Sequence, residues 1–193
     1  MNPSVEILKQ GGVVILLTDT LYAVAASALI PHAVERVYAL RGRDSNKPCI
    51  ILISSLKDLE IFGISLSKKE KDILRQIWPN TISIILPSYD AHFSYLDRGS
   101  GSLCFRMPAD QTIQKILSRS GPLIAPSANL QGKKPALTIA EARAYFGDKV
   151  DFYVDSGKRS SFSSTILRLK NEGFELVREG AYSVAALKKE GFL

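Results

Sequence analysis

Short apolar runs recur along the chain and predict buried β-strands. Residues 13–17 read Val-Val-Ile-Leu-Leu after two glycines. This run is too short for a typical helix and is apolar on both faces, as in a central strand. Similar runs with turn residues between them predict further strands. These cover residues 49–53, 81–86, 103–106, 123–125, 152–154, 164–169 and 174–177.

Helical patterns lie between these runs. Pro31 opens a segment in which apolar residues return every three positions, and proline is favoured in the first turn of a helix. Ser67 with Glu70, and Thr138 with Glu141, have the spacing of capping boxes. Each of these pairs therefore predicts the start of another helix.

The irregular alternation of strands and helices indicates the fold class. A fourth helix is predicted over residues 111–117, and no internal repeat or linker interrupts the chain. We therefore expect one α/β domain over residues 1–193, with a twisted mixed sheet and helices on its faces. The polar segment 87–101 contains Gly-Ser-Gly and is expected to be a mobile loop that can cover a site.

The charge balance favours acidic partners. The chain has 193 residues, of which 46% are apolar, enough for a full hydrophobic core. Its formal net charge of +6 suits nucleotides, pyrophosphate or RNA. No run of lysine and arginine is long enough to form a nucleic-acid-binding arm. Binding of RNA is therefore left open by the composition.

Two features favour a reducing, cytoplasmic location. Cys49 and Cys104 are far apart and each lies in a predicted strand, which fits buried thiols better than a disulfide framework. Residues 13–30 are the most membrane-like stretch, but Asp19 interrupts them. An aspartate at the centre of a membrane helix costs about 2.5–3.5 kcal/mol on insertion, so we expect no membrane association.

Polar and cationic residues gather where predicted strands begin or end. Residues 41–48 precede one strand, residues 125–129 follow another, and Arg106 ends a third. Two further polar segments, 155–157 and 163–165, adjoin other strands. Arginine and lysine neutralise phosphate or carboxylate charge, while serine and asparagine supply orienting hydrogen bonds. Because strands hold such groups rigidly at a sheet edge, they predict a concave basic pocket for an anionic small molecule.

Each cluster alone also has an ordinary structural explanation. Asp19 is either a magnesium ligand, a general base or a simple turn residue. The cations of residues 41–48 also suit the solvated end of a helix, where positive charge complements the dipole. Ser127 lacks both a G-x-S-x-G context and an evident histidine base, so it is expected to hydrogen-bond a ligand rather than attack one.

The familiar nucleotide and metal motifs are missing. Neither a Walker A nor a G-x-G-x-x-G sequence occurs, so any nucleotide has to be held in another way. His32 and His92 have no partners at metal-ligand spacing, and no protein metal site is predicted.

In their joint order, these residues resemble the YrdC-like family, in particular its short bacterial members that make threonylcarbamoyl-AMP. Each motif is weak alone, and their combined order and spacing are specific. Because the chain ends soon after Arg178, we expect the single-domain form of the family. The similar positions are residues 11–12, 18–22, 41–48, 106–108, 127–129, 155–157, 164–165 and Arg178.

The resemblance implies an enzyme, an L-threonylcarbamoyladenylate synthase. Such a synthase condenses L-threonine, bicarbonate and ATP to threonylcarbamoyl-AMP and pyrophosphate, for threonylcarbamoyl-adenosine modification of tRNA. Magnesium is expected to arrive with ATP, with no metal ligand supplied by the protein alone. The implied partners are downstream tRNA threonylcarbamoyl-transferase proteins, and contact with tRNA or double-stranded RNA stays open.

The same resemblance assigns residues to the two larger substrates. Lys47 and Arg106 are expected to act electrostatically, with Arg106 pairing with the threonine carboxylate, and no protein nucleophile is implied. Threonine would be held by Thr20, Arg106 and Ser164. ATP would be held by Arg43, Lys47, Ser102, Ser127, Asn129 and Arg178.

Four positions depart from the family's usual pattern. Leu17 stands where a proline is common, Arg41 replaces a lysine, and Leu52 occupies a strand position that is often polar. Ala23 replaces the glycine that usually follows the tyrosine. A Cβ there is harmful where φ is positive or a ligand approaches closely. We expect a negative φ at Ala23, so that alanine is tolerated.

Two alternatives remain from the sequence. The first is a non-catalytic RNA-binding or ribosome-associated YrdC-like module that uses the same basic face. The mixture of Lys47, Arg106, Ser127 and Asn129 favours the enzyme, since binding an RNA backbone does not require it. The second is a relative that adenylates a different carbamoyl donor, as the related domain of hydrogenase-maturation proteins does.

Overall fold

The computed structural model describes residues 3–157, 162–170 and 173–193. Nine strands within these ranges form one sheet: β1 (Val14–Leu17), β2 (Tyr22–Ser27), β3 (Ile50–Leu52), β4 (Ile82–Pro87), β5 (Ser102–Arg106), β6 (Leu123–Ile124), β7 (Phe152–Tyr153), β8 (Thr165–Lys170) and β9 (Gly173–Arg178). Their order across the sheet is β7-β1-β2-β6-β3-β5-β4-β8-β9.

The strand pairing is mixed, as predicted. β1 and β7, β3 and β5, and β4 and β8 pair in parallel, whereas the other neighbouring strands are antiparallel. Leu52 at the end of β3 lies opposite Arg106 at the end of β5. Ala23 in β2 forms an isolated bridge with Ser127, just beyond β6. This register brings the polar segments after β5 and β6 close to the turn between β1 and β2.

Helices cover both faces of the sheet. The first helix and the sixth pack on one face, where Val5 and Leu8 join Ile113, Ile116 and Leu117 in a smaller core. The larger core on the other face includes side chains of α2 and α4. The helices are α1 (Pro3–Lys9), α2 (Pro31–Arg41), α3 (Asp58–Ile61), α4 (Lys68–Ile77), α5 (Ser94–Asp97), α6 (Gln111–Ser120), α7 (Ile139–Phe146) and α8 (Val184–Lys189), with short 3-10 turns at Ala91–Phe93 and Gly147–Lys149.

Local sequence signals located the helix starts correctly. The Ser67 side chain accepts from the Glu70 amide, and the Glu70 carboxylate accepts from the Ser67 amide, so the capping box is complete. Thr138 accepts from the Glu141 amide, but the Glu141 carboxylate accepts from the Leu137 amide instead. These bonds satisfy backbone donors that the first helical turn leaves free.

Several elements were not predicted from the sequence. β2 carries alternating small and apolar residues, Tyr-Ala-Val-Ala-Ala-Ser, that are all buried. A strand that is buried on both faces does not alternate polar and apolar residues, so no pattern marked β2 as a separate strand. The short helices α1, α3, α5 and α8 were missed too, since four to seven residues show little helical periodicity.

Residues 87–101 are predicted to be a loop, but part of this segment is helical. This segment contains α5 and a 3-10 turn, and its Phe93 and Leu96 side chains are buried in the larger core. Tyr95 donates a hydrogen bond to the Ala28 carbonyl at 2.8 Å. The segment is mostly polar in sequence, but its few apolar side chains pack against the sheet. Their burial removes apolar surface from water and so holds the segment in place.

The two cysteines are free thiols. Cys49 is buried, as predicted, and Cys104 is half-buried in β5, where burial of the thiol raises its pKa to about 12. No helix in the described part of the chain is long and apolar enough to cross a bilayer.

Candidate active site

Four of the five predicted polar sites contribute residues to one cleft, whereas residues 155–157 do not line it. Turns and strand ends that are distant in sequence meet there because of the strand order described above. The lining residues are Thr18, Thr20, Leu21, Tyr22, Ala23, Arg41, Arg43, Pro48, Cys49, Ile50, Arg106, Ala125, Pro126, Ser127, Ser163, Ser164, Ile166 and Arg178.

Positive charge dominates this cleft. Four arginines line it, namely Arg41, Arg43, Arg106 and Arg178, and no acidic residue is among its described lining. Asp19 lies close behind, 3.2 Å from Nη2 of Arg106. Guanidinium groups match the geometry of carboxylate and phosphate. The cleft is therefore built to receive anionic groups.

Arg106 is held rigidly at the end of β5. It is only 3% exposed, and its Nη1 donates to the Thr20 hydroxyl at 3.1 Å. The ion pair with Asp19 is close but is not aligned as a hydrogen bond. Burial raises the pKa of Asp19, and Arg106 opposes that shift. Nε of Arg106 is buried without a hydrogen-bond partner in the described structure.

The turn between β1 and β2 presents Thr20. The Thr18 hydroxyl accepts from the amides of Thr20 and Leu21 and donates to the Leu21 carbonyl. Such a side-chain-to-backbone turn replaces missing ladder bonds. The Thr18 and Thr20 hydroxyls are also 3.0 Å apart. This turn explains why a hydroxyl residue at position 18 precedes the two residues that contact Arg106.

Ser164 also lines the cleft. It is 1% exposed, and its hydroxyl accepts from Ser83 of β4 at 2.8 Å. Its carbonyl accepts from Nη2 of Arg178 at 2.8 Å. The neighbouring Thr165 hydroxyl ties the segment after β9 to β8, donating to the Tyr182 carbonyl and accepting from the Gly180 amide.

A third group of contacts holds Ser127 and Asn129. The Ser127 hydroxyl donates to Oδ1 of Asn129 at 2.6 Å. Nδ2 of Asn129 donates to the carbonyls of Leu130 and Lys133. Arg41 joins this network through Nε, which donates to the Asn129 carbonyl at 3.0 Å. Asn129 therefore stands behind Ser127 and shapes the segment, and it does not itself line the cleft.

The segment after α2 carries Arg43 and Lys47. The Lys47 carbonyl accepts from the Tyr38 hydroxyl at 2.8 Å and from Nε of Arg43 at 3.1 Å. Nη2 of Arg43 donates to the Pro48 carbonyl. The Lys47 side chain itself is 65% exposed and lies 3.6 Å from the Asp44 carboxylate. Its backbone is thus fixed while its ammonium group remains in solvent.

The structure brings most predicted site residues together. Lys47 and Ser102 are not among the cleft lining, and the Ser102 hydroxyl lies 3.2 Å from that of Ser100. Arg41 lines the cleft but was not assigned a substrate from the sequence; its position two residues before Arg43 is the signal that could have indicated it. The predicted residues that do line it are Thr20, Arg43, Arg106, Ser127, Ser164 and Arg178.

The unusual positions are accommodated by the fold. Arg98 is the only residue other than glycine with positive φ in the described ranges, so the expected negative φ at Ala23 is confirmed. Leu52 is fully buried in the smaller core and does not line the cleft. Leu17 packs against the larger core. None of these three residues removes a charged or hydroxyl group from the cleft.

Metal ligands are scarce. The described residues include no group of three or more histidine, cysteine, aspartate or glutamate side chains placed to hold a metal ion. The Asp19 carboxylate forms an ion pair with Arg106.

The mixed α/β sheet thus carries an arginine-lined cleft at its strand ends, whose chemistry suits anionic small molecules. The profile of the Sua5/YciO/YrdC family, described as "Telomere recombination", matches residues 6–180. The chain belongs to this family, as its motifs predicted.

Named relatives and one solved structure extend this comparison. The chain is 28% identical over 184 residues to the threonylcarbamoyl-AMP synthase of Pyrococcus abyssi, covering 94% of this chain and 54% of the relative. It is 33% identical over 178 residues to that of Bacillus subtilis, covering 90% and 51%. The chain therefore spans about half the length of these two relatives.

The crystal structure of P. abyssi Sua5 complexed with L-threonine superposes with a TM-score of 0.89 at 27% identity, covering 98% of this chain and 57% of that one. This likeness confirms the predicted fold.

Proposed function

We propose that this chain is a threonylcarbamoyl-AMP synthase that condenses L-threonine, bicarbonate and ATP. The observation that carries the proposal is the placing of four arginines in one cleft beside the buried hydroxyls of Thr20 and Ser164. A reaction between two anionic substrates needs positive charge at both. The names of the P. abyssi and B. subtilis relatives support the same activity.

The threonine side of the cleft would be formed by Thr20, Arg106 and Ser164. Among the residues that the structure describes, one buried N–H of Arg106 has no hydrogen-bond partner, which suits the carboxylate of an amino acid. The cation would also stabilise charge during the reaction, since a buried guanidinium is weakly screened by water. Thr20 and Ser164 would orient the substrate through neutral hydrogen bonds.

The ATP side would be formed by Arg43, Ser127 and Arg178 in the cleft, with Lys47 and Ser102 outside its lining and Asn129 behind it. The threonine amine and bicarbonate would first form a carbamate with loss of water, and a carbamate oxygen would then attack the α-phosphorus. A new P–O bond would form and the bond to the β-phosphate would break, releasing pyrophosphate. No protein nucleophile is required when the two reactants are held together. Magnesium would arrive with the ATP phosphates.

Pyrophosphate release tests this proposal directly. The purified chain is supplied with ATP and magnesium, with and without threonine and bicarbonate. We expect release only when both are present, with threonylcarbamoyl-AMP as the other product by mass spectrometry. A chain that binds RNA but releases no pyrophosphate would instead support the RNA-binding alternative.

Further parts of the proposal concern the cellular role. The product would pass to downstream tRNA threonylcarbamoyl-transferase proteins in the cytoplasm. Threonylcarbamoyl-AMP is a reactive mixed anhydride, so the chemistry calls for a transferase that consumes it promptly.

Lys47→Ala is expected to raise the KM for ATP by about tenfold or more, because a charged hydrogen bond to phosphate is lost. The KM for threonine should change little. Lys170→Ala is the matched control, since Lys170 is similarly exposed and lies 3.3 Å from Glu175, on β9. Steady-state kinetics of both variants check the assignment, and an unchanged KM for ATP in Lys47→Ala would remove Lys47 from the nucleotide site.

Ala23→Gly is expected to lower stability by up to about 1 kcal/mol, since glycine in a strand loses more conformational entropy on folding. Pyrophosphate release should stay similar, because Ala23 offers no polar group to a substrate. Ala26→Gly, at a buried β2 position outside the cleft, is the control for stability in urea. A large gain in turnover in Ala23→Gly alone would show that the alanine impairs this chain.

A further inference from the structure

Arg41 is tied to the segment around Ser127 more closely than any other cleft arginine. It is the last residue of α2 and is 4% exposed. Gly42 ends the helix in the left-handed region, with φ of 55°, and turns the main chain away. The Arg41 carbonyl accepts from the Gln131 amide at 2.8 Å. Backbone and side chain of Arg41 therefore both contact the residues that follow β6.

The Arg41 side chain donates two hydrogen bonds to Asn129. Nε donates to the Asn129 carbonyl at 3.0 Å, and Nη2 donates to its Oδ1 at 3.2 Å. Nη2 also lies 3.4 Å from the Ser127 hydroxyl. Two donors in a fixed plane meet two acceptors of one residue, a match that depends on the shape of the guanidinium.

The Asn129 amide is fully used within the protein. Its Oδ1 accepts from Ser127 and Arg41, and both hydrogens of Nδ2 are donated to main-chain carbonyls. A carboxamide offers two acceptor positions and two donors. The hydrogen-bonding groups of the Asn129 side chain are therefore all paired without a ligand. Asn129 would affect a bound ligand by fixing the position of Ser127.

One nitrogen of Arg41 remains unused. Nη1 is buried and has no hydrogen-bond partner in the described structure, although Arg41 lines the cleft. An unpaired buried donor is costly, and an oxygen of a bound anion would satisfy it. Burial, and secondarily the charge of Arg43, lower the pKa of Arg41 to about 10, so the group is still a cation at neutral pH.

We propose that Arg41 is a positioning residue: its guanidinium holds Asn129, and through it the Ser127 hydroxyl, in the arrangement that receives the nucleotide. The assignment of this arrangement to a nucleotide rests on the proposed function, whereas the hydrogen bonds from Arg41 to Asn129 do not. A lysine has a single point of charge and cannot bond both acceptors. Arg41 thus acts through shape as well as charge.

Two variants and one control test this role. Arg41→Lys keeps the positive charge but removes the paired donors of the guanidinium, and Arg41→Ala removes both the charge and the donors. Arg75→Lys is the control, because Arg75 makes an exposed ion pair with Asp72 at 2.7 Å in α4. Circular dichroism establishes that each variant is folded. For Arg41→Lys we expect the KM for ATP to rise about tenfold or more with that for threonine nearly unchanged, and for Arg75→Lys neither should change.

Chemical rescue separates shape from charge. Guanidinium at low, non-denaturing concentration should restore activity to Arg41→Ala, whereas methylammonium should not. Rescue by both ions to the same extent, or a normal KM for ATP in Arg41→Lys, would overturn the positioning role and leave a simple charge effect.

A readout without turnover keeps the two proposals apart. In NMR spectra, the Asn129 side-chain amide signals, identified by their loss in Asn129→Ala, should shift in Arg41→Lys and stay in place in Arg75→Lys. Unshifted signals would show that Arg41 does not hold the Asn129 side chain in place. If the wild-type chain neither binds ATP nor releases pyrophosphate, the proposed function fails while this spectral test still decides the role of Arg41.

Discussion

Replacing Arg106 with alanine is expected to lower threonine-dependent pyrophosphate release by about tenfold or more and to destabilise the protein. Arg106 is buried and contacts both Asp19 and Thr20. The loss of a charged hydrogen bond to the substrate corresponds to about 1.5–3 kcal/mol, or tenfold or more in kcat/KM. Removing one partner of a buried ion pair typically costs about 3–5 kcal/mol of stability.

The sequence identified Arg106 only as a cation for the threonine carboxylate, with no contribution to stability assigned to it. The buried partner Asp19 changes this expectation. Arg106→Lys retains a cation and should be the more stable variant, but it cannot reproduce the fork that contacts Thr20 and Asp19. If folded Arg106→Ala retained near-normal threonine-dependent turnover, the threonine site would lie elsewhere.

The stability loss in Arg106→Ala should depend on pH. Burial raises the pKa of Asp19 and Arg106 opposes it, so removing Arg106 raises the pKa further. A carboxyl whose pKa is raised in the folded state favours the protonated form, and its stability contribution falls as pH rises through the folded pKa. Urea unfolding should therefore show a larger deficit at pH 7 than at pH 5.

A double variant provides the control for this pH dependence. In Arg106→Ala with Asp19→Asn, no buried carboxylate is left unpaired, so the stability deficit should shrink and lose most of its pH dependence. Equal deficits at both pH values in the single variant would contradict the role given to Asp19.

Replacing Gly180 with alanine is expected to disturb the cleft from outside it. A Cβ on Gly180 would overlap the Ser163 carbonyl oxygen and lie 2.6 Å from both the carbon and the oxygen of the Ser164 carbonyl. Backbone atoms cannot move away as a flexible side chain can. Since Ser163 and Ser164 line the cleft, we expect a stability loss of about 1–3 kcal/mol from overpacking and a higher KM for threonine.

Gly99→Ala separates this collision from ordinary backbone strain. Gly99 has φ of 79°, and a Cβ there would meet nothing within 4 Å. It should cost about 1 kcal/mol through the left-handed backbone and leave the KM for threonine unchanged. Thermal unfolding and steady-state kinetics of both variants make the comparison, and indistinguishable KM values would show that the Gly180 contact does not shape the cleft.

The sequence predicted the mixed α/β class and most helix and strand positions, because these depend on neighbours a few residues away. The capping box of Ser67 and Glu70 spans three positions, and the run ending at Leu17 is a strand by its own composition. The residue types at the strand ends also indicated an anionic ligand, since guanidinium and hydroxyl groups have the same chemistry wherever the fold places them.

Only the tertiary structure decided which of these groups share the cleft. Arg106 meets Thr20 across 86 positions of sequence, and Arg41 meets Asn129 across 88. Such contacts follow from strand order and register, which local patterns do not specify. For the same reason the sequence could not tell that Arg41 lies buried in the cleft while the Lys47 side chain, six residues later, remains in solvent.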